Sequence, residues 1–140
     1  MMYGNVFNES DGRYRVVIAG SRTFNNYEVL KGACDDLLQE KSLKKEIIII
    51  SGGAKGADTL GERYARERGY EVRQYPADWE KYGKAAGHVR NTEMARHADA
   101  LLAFWDGKSH GTADMIKKAR LKKLDIVIVR TDKYDDNNII

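Results

Sequence analysis

The sequence predicts a doubly wound α/β domain on a five-stranded parallel sheet, and three features of the chain lead there. Four short segments, Val16–Ala19, Ile47–Ile50, Ala100–Trp105 and Ile126–Val129, are almost continuously apolar and rich in β-branched residues. Helical periodicities lie between them, and glycine-rich stretches mark the points where strands hand over to helices. Continuous apolar runs suit strands buried on both faces, as in the interior of a parallel sheet.

Taken in order, Val16–Ala19 is the first strand, and residues 1–14 before it read as a polar tail. Leu30, Ala33, Cys34, Leu37 and Leu38 then follow the i, i+3, i+4, i+7, i+8 spacing of a helix with one apolar face. The second strand, Ile47–Ile50, leads into a helix carrying Ala57, Leu60, Gly61, Tyr64 and Ala65 on one face, with Gly69 as its stop signal. Glu71–Tyr75 is half polar and reads as an edge strand. A third helix is expected from about Ala86 to His97, and a fourth from about Thr112 to Lys123, on either side of the strand Ala100–Trp105. Ile126–Val129 closes the sheet, and residues 132–140 form a second polar tail around a single domain over 15–131. Strand and helix alternate, so right-handed crossovers bring every strand C-terminus to one edge. By analogy with nucleotide-binding folds the expected strand order is 3-2-1-4-5.

The bulk properties narrow the function classes. The 140 residues are 42% hydrophobic and 32% charged, with a formal net charge of +3. No apolar run approaches the length of a membrane span, and Met1–Arg13 lacks the basic-then-apolar order of a signal peptide. A cytoplasmic protein with no membrane partner is the expectation. Cys34 is the lone cysteine, and His88, His97 and His110 have no zinc spacing, so neither a metal centre nor a bound cofactor is expected. The basic run Lys117–Lys123 reads as a solvated helix face, with a weak nucleic-acid patch as the less favoured alternative.

Three loops at the shared sheet edge carry the chemistry. They are Gly20-Ser21-Arg22 after the first strand, Ser51-Gly52-Gly53-Ala54-Lys55-Gly56-Ala57-Asp58 after the second, and Asp106-Gly107-Lys108-Ser109-His110-Gly111-Thr112 after the fourth. Glycine lets a backbone turn sharply and approach a ligand closely, and a helix N-terminus favours an anion. One such loop is an ordinary tight turn; three converging on one edge predict a phosphate site. Neither familiar phosphate motif fits. Gly107-Lys108-Ser109 ends like a Walker A loop, but Leu102 stands where its leading glycine belongs, and no GxGxxG follows the first strand.

In the third helix, Arg90, Asn91, Met94, His97 and Ala98 share a face, which turns Arg90 and Asn91 toward the sheet edge. Arg90 is either a fork for a phosphate or a snorkelling surface arginine. Asp114, in the first turn of the last helix, is either a dipole partner or a carboxylate facing the ligand. Trp79 and Tyr82 follow the edge strand at the same face, as lid packing or as a surface on which a base stacks.

The succession Gly20-Ser21-Arg22, Ser51-Gly52-Gly53-Ala54-Lys55-Gly56-Ala57-Asp58, Arg90-Asn91-Thr92-Glu93-Met94 and Gly111-Thr112 resembles the SLOG superfamily, and within it the YspA-type members related to YpsA. The superfamily also holds the Lonely Guy phosphoribohydrolases and DNA-processing protein A. The resemblance implies a Rossmann-like three-layer fold that binds a nucleotide or nucleotide-derived ligand. The binding residues carried over are Gly20, Ser21, Arg22, Gly52, Gly53, Lys55, Gly56, Asp58, Asn91, Gly111 and Thr112. Arg90 matches the arginine of the Lonely Guy Arg-Lys pair, and Asp114 lies near the place of their catalytic glutamate. Asn91 stands in place of the lysine, and Lys108-Ser109-His110 replaces the proline and paired glycines. The expectation is binding of a nucleotide-like small molecule. Its alternatives are metal-independent N-glycosidic cleavage of nucleoside 5′-monophosphates through Arg90 and Asp114, and a DNA-binding role. Self-association is compatible with the pattern.

Overall fold

In the computed structural model, residues 11–134 are described. Five parallel strands form one sheet: β1 (Arg13–Gly20), β2 (Glu46–Ser51), β3 (Glu71–Gln74), β4 (Ala100–Trp105) and β5 (Asp125–Arg130). Their order is β3-β2-β1-β4-β5, as predicted. Val16 and Val17 of β1 pair with Ile49 and Ile50 of β2 on one side, and with Ala100 and Leu101 of β4 on the other. β1, β2 and β5 extend beyond the apolar runs, while β4 coincides with its own. β1 begins at Arg13 because the polar residues there still complete the ladder to Glu46. Of the tails expected over 1–14 and 132–140, residues 1–10 and 135–140 lie outside the described residues, while Arg13 and Tyr14 belong to β1 and the second tail opens within a 3-10 turn, Thr131–Tyr134.

Alternation along β1 divides the interior in two. Val16 and Ile18 face a core shared with Leu30, Cys34 and Leu38 of α1 (Tyr27–Leu38) and with Tyr64 and Ala65 of α2 (Ala57–Arg68). Val17 and Ala19 face the opposite core, closed by Met94 and Ala95 of α4 (Ala86–Arg96) and by Met115, Ile116 and Ala119 of α5 (His110–Leu121). The result is three layers with β1 at the centre, buried on both faces.

The helix boundaries follow local capping. The Asn26 side chain accepts from the Val29 N–H and starts α1, while Gly69, in the left-handed region at φ +76°, ends α2. A four-residue helix, α3 (Trp79–Tyr82), was not expected from the sequence; Asp78 caps it by accepting from Lys81 N at 3.0 Å. α5 begins at His110, two residues before the expected Thr112, because the preceding turn is held by Asp106, whose Oδ1 accepts from Lys108 N at 2.8 Å and Ser109 N at 2.7 Å.

Two helical glycines make opposite demands. A Cβ on Gly61, on the buried face of α2, would lie 2.7 Å from Ile18 Cγ2 and 2.9 Å from Ile18 Cβ, so the helix lies directly on β1. A Cβ on the exposed Gly32 of α1 would meet nothing within 4 Å. The same substitution should therefore change stability in opposite directions. Gly32→Ala should gain roughly 0.4–1 kcal/mol from the restricted unfolded chain. Gly61→Ala should lose about 1–3 kcal/mol through overpacking, despite its better helix propensity. Urea titrations of both variants test this, and a stabilised Gly61→Ala protein would contradict the close packing.

Candidate functional site

In the order β3-β2-β1-β4-β5 the chain leaves β1 toward one side of the sheet and later returns to place β4 on the other. Crevices open at the carboxyl ends of strands where such a reversal occurs. A cleft of about 490 Å³ lies there, between the loops that follow β1 and β4.

Its floor is a backbone junction. Ser21 N donates to Phe104 O at 3.0 Å, and Ser21 O accepts from Ala57 N at 3.3 Å, so the β1 loop is tied both to β4 and to the start of α2. Gly20 lies so close that a Cβ would fall 2.3 Å from Phe104 O. Gly56, at φ +81°, would place a Cβ 2.3 Å from Ser21 O and 2.6 Å from Arg22 O. No side chain fits at either position, and φ at Gly56 independently favours glycine. The Ser109 hydroxyl, 3.1 Å from both Ser21 Oγ and Asp106 Oδ2, links the β4 loop to the same floor.

Polar side chains cross the cleft as a chain. Arg90 Nη1 donates to Gly52 O at 2.7 Å and Arg90 Nε donates to Asn91 Oδ1 at 3.1 Å. The buried Asn91 then donates through Nδ2 to Asp114 Oδ2 at 3.0 Å and Gly111 O at 3.3 Å. Asp114 is further engaged by Lys118 Nζ at 2.9 Å and by His88 Nδ1 at 3.0 Å. Burial alone would raise the Asp114 carboxyl, but Lys118, Asn91 and His88 outweigh it and hold it below the usual range. Asp106 behaves likewise, kept low against its burial by the Ser109 and Lys108 N–H groups.

Asp58 is the exception. Burial pushes its carboxyl up to about 6 from the ordinary 3.8, against the Ala54 N–H and the nearby Arg90 cation, and Glu62 reinforces the rise. Arg90 is itself held below its ordinary value by burial, with Asp58 opposing.

Most of the residues singled out by sequence meet here. Gly20, Ser21, Arg22, Asp58, Arg90, Asn91, Gly111 and Thr112 line the cleft. Gly52 and Gly53 line an adjoining hollow of about 300 Å³, whose wall includes Arg22 and Arg90. Gly56 lies behind the cleft wall, against the β1 loop, and the exposed Lys55 lines neither space. Asp114 lies behind Asn91 and does not line the cleft. The Gly52–Gly56 loop is also less open to a ligand than its glycines suggest. Gly53 N donates to Ser51 Oγ at 3.0 Å and Ala54 N donates to Asp58 Oδ2 at 3.3 Å, so two of its N–H groups have internal acceptors.

By contrast, α5 begins without a side-chain cap from Ser109, and the first N–H groups of a helix have no acceptor within it. Gly111 and Thr112 stand in that first turn, on the cleft wall. Asp106, at the head of the third glycine loop, and Met94, on the Arg90 face of its helix, also line the cleft, as do Lys84 and Met115, which sequence reasoning passed over. Nothing in the spacing of Lys84 and Met115 signals this, because the β3–α4 connection and α5 bring them together. The Asp114–Lys118 pair was readable, since i, i+4 acid–base spacing on a helix predicts contact.

Among the described residues no helix is long and apolar enough to cross a membrane. The sequence profile of the YspA, cpYpsA-related SLOG family matches residues 14–82. The Gene 61 protein of Mycobacterium phage D29 is 36% identical over 119 residues, spanning 81% of this chain and 94% of that protein. Among solved structures, DNA processing protein A from Streptococcus pneumoniae superposes with a TM-score of 0.64 at 17% identity, over 84% of this chain and 50% of that one. The chain thus spans half the length of that neighbour. The structural-genomics target TM1055 gives a TM-score of 0.58 at 21% identity, over 81% of this chain and 72% of that one. At these identities the likeness to both structures is one of fold. With its glycine loops in the expected order and a phage relative matched over nearly its whole length, the chain belongs to the YspA, cpYpsA-related SLOG family.

Proposed function

We propose that the cleft between the β1 and β4 loops binds a nucleotide-derived ligand, with its phosphate on the first turn of α5. The observation that carries this reading is the meeting of an uncapped twelve-residue helix N-terminus with Arg22 and Arg90 in one cleft at the strand-order reversal. The helix supplies unpaired N–H donors and the positive end of its dipole. Arg90 Nη2 makes no hydrogen bond among the described residues, so the guanidinium keeps donors for a phosphate while its other nitrogens hold Gly52 and Asn91. Arg22 is exposed at the cleft wall and forms no ion pair among the described residues.

The geometry favours binding over glycosidic cleavage through Asp114. A carboxylate acting on a ribose must face it, whereas Asp114 is already engaged by Lys118, His88 and Asn91. The distribution of cations favours a small ligand over DNA. α5 runs away from the cleft and carries most of the basic run Lys117–Lys123 with it, Lys118 being held by Asp114, while Arg22, Lys84 and Arg90 line the cleft.

Gly111→Asp tests the phosphate position. A Cβ there meets nothing within 4 Å, and an acid in a first helical turn suits the dipole, so the fold should hold or gain slightly. The new carboxylate should nevertheless weaken AMP binding at least tenfold, or roughly 1.4 kcal/mol, by calorimetry. Unchanged affinity in the folded variant would remove the phosphate from α5.

Asp58 sets the pH dependence. Its carboxyl is neutral below about 6 and charged above, so a negative charge enters the cleft as pH rises and opposes an anion. The ligand's own second phosphate ionisation, near 6, acts in the other direction. That effect is common to wild type and Asp58→Asn, so the ratio of their affinities isolates Asp58. The ratio should be near one at pH 5 and favour Asp58→Asn on the order of tenfold at pH 8. A ratio that does not change with pH would place the phosphate out of reach of Asp58.

A further inference from the structure

The cleft and the hollow beside it adjoin, with Arg22, Ala54, Trp79 and Arg90 lining both. The hollow lies between the β2 loop and the connection leaving β3. On one side is the backbone of Gly52 and Gly53; on the other are Pro76, Ala77 and Trp79. A Cβ at Gly52 would fall 2.5 Å from Arg90 Nη1 and 2.9 Å from Asp58 Oδ2, so a side chain there would have to displace Arg90 and Asp58 from their present places.

Trp79 is the unusual member. It is 56% exposed, and its indole makes no hydrogen bond and no ring contact among the described residues. The chain's other tryptophan, Trp105, donates from Nε1 to Ser109 O at 3.1 Å and lies under the Arg130 guanidinium. The backbone presenting Trp79 is pinned on both sides. Tyr75 N donates to Ser51 O at 2.8 Å, Asp78 caps α3, and Gly83, at φ +56°, ends it. A large aromatic side chain thus borders both spaces from a fixed backbone, together with Arg22 and Arg90, while the first turn of α5 lines the cleft alone.

We propose that this hollow is the base subsite, in which a nucleobase stacks on Trp79 while its ribose phosphate reaches across Arg90 to α5. The inference rests on the phosphate reading above and adds the ligand's orientation and aromatic character. Every base has a π-face that an indole can take, so Trp79 supplies affinity without edge readout and should favour the larger purines over pyrimidines.

The test uses the full chain with AMP, UMP and ribose 5-phosphate, each titrated by calorimetry and by tryptophan emission. AMP should bind and quench emission with the calorimetric midpoint, UMP should bind more weakly, and ribose 5-phosphate should bind without quenching. Trp79→Leu should weaken AMP about tenfold, within the range of one base–aromatic stack, and leave ribose 5-phosphate unchanged. Trp79→Phe should restore most of the lost AMP affinity, and circular dichroism checks that both variants are folded. AMP and ribose 5-phosphate both binding, with AMP indifferent to Trp79→Leu, would overturn the base subsite and leave the phosphate site standing. Equal weakening of both ligands by Trp79→Leu would also overturn it, by making Trp79 a support for the cleft wall. No binding of any of the three would overturn the phosphate reading and the subsite together.

Discussion

The whole arrangement depends on backbone approaching backbone at Gly20 and Gly56. A β-carbon at either would collide with carbonyl groups at 2.3 Å, and carbonyls in a hydrogen-bonded strand or loop cannot move aside as a side chain can. Because both positions are glycine, the β1 loop lies against β4 on one flank and against the start of α2 on the other, fastened by Ser21 through its N–H and its carbonyl. The cleft opens over this junction, and side chains from α4, α5 and the β3 connection join Ser21, Arg22, Asp58 and Asp106 in lining it.

Much of the fold was legible because double burial leaves a strong mark. Ile47–Ile50 and Ala100–Trp105 have hardly a polar residue, and both proved to be interior strands. Alternation and handedness put the strand C-termini on one edge, and analogy with nucleotide-binding folds supplied the strand order. Short or irregular pieces were less legible. The four residues of α3 are too few to display a period, and the start of α5 is decided by Asp106 folding over its own loop, a choice that no apolar pattern records.

The candidate site divided along the same line. Its glycines and the register of Arg90 and Asn91 could be read, since backbone strain and helical phase are local properties. Which groups have been claimed by internal partners is a property of three dimensions. Gly53 and Ala54 look like open phosphate donors until Ser51 Oγ and Asp58 Oδ2 are placed against them. Asp114 looks like a free carboxylate until Asn91 and His88 arrive from another helix. Asp58 is the converse. The sequence marks it as a binding residue of the glycine loop but not as a titrating one, and its burial beside Gly52 and Arg90 is what pushes its carboxyl up to about 6.

The amide of Asn91 accepts from Arg90 with its oxygen and donates to Asp114 with its nitrogen, and neither end can be exchanged for the other. An aspartate here would have no proton to give Asp114, and a lysine no lone pair for Arg90. Each would also set like charges side by side, at one end of the chain or the other. Substitutions at positions 90, 91 and 114 are therefore epistatic, and a lineage moving away from this trio must change at least two positions before the cleft is again electrostatically consistent. That makes the three residues a unit of inheritance, and it supplies a physical criterion for sorting relatives: those that keep Asn91 should keep Arg90 and an acid at 114 with it, whatever happens to the loops around them.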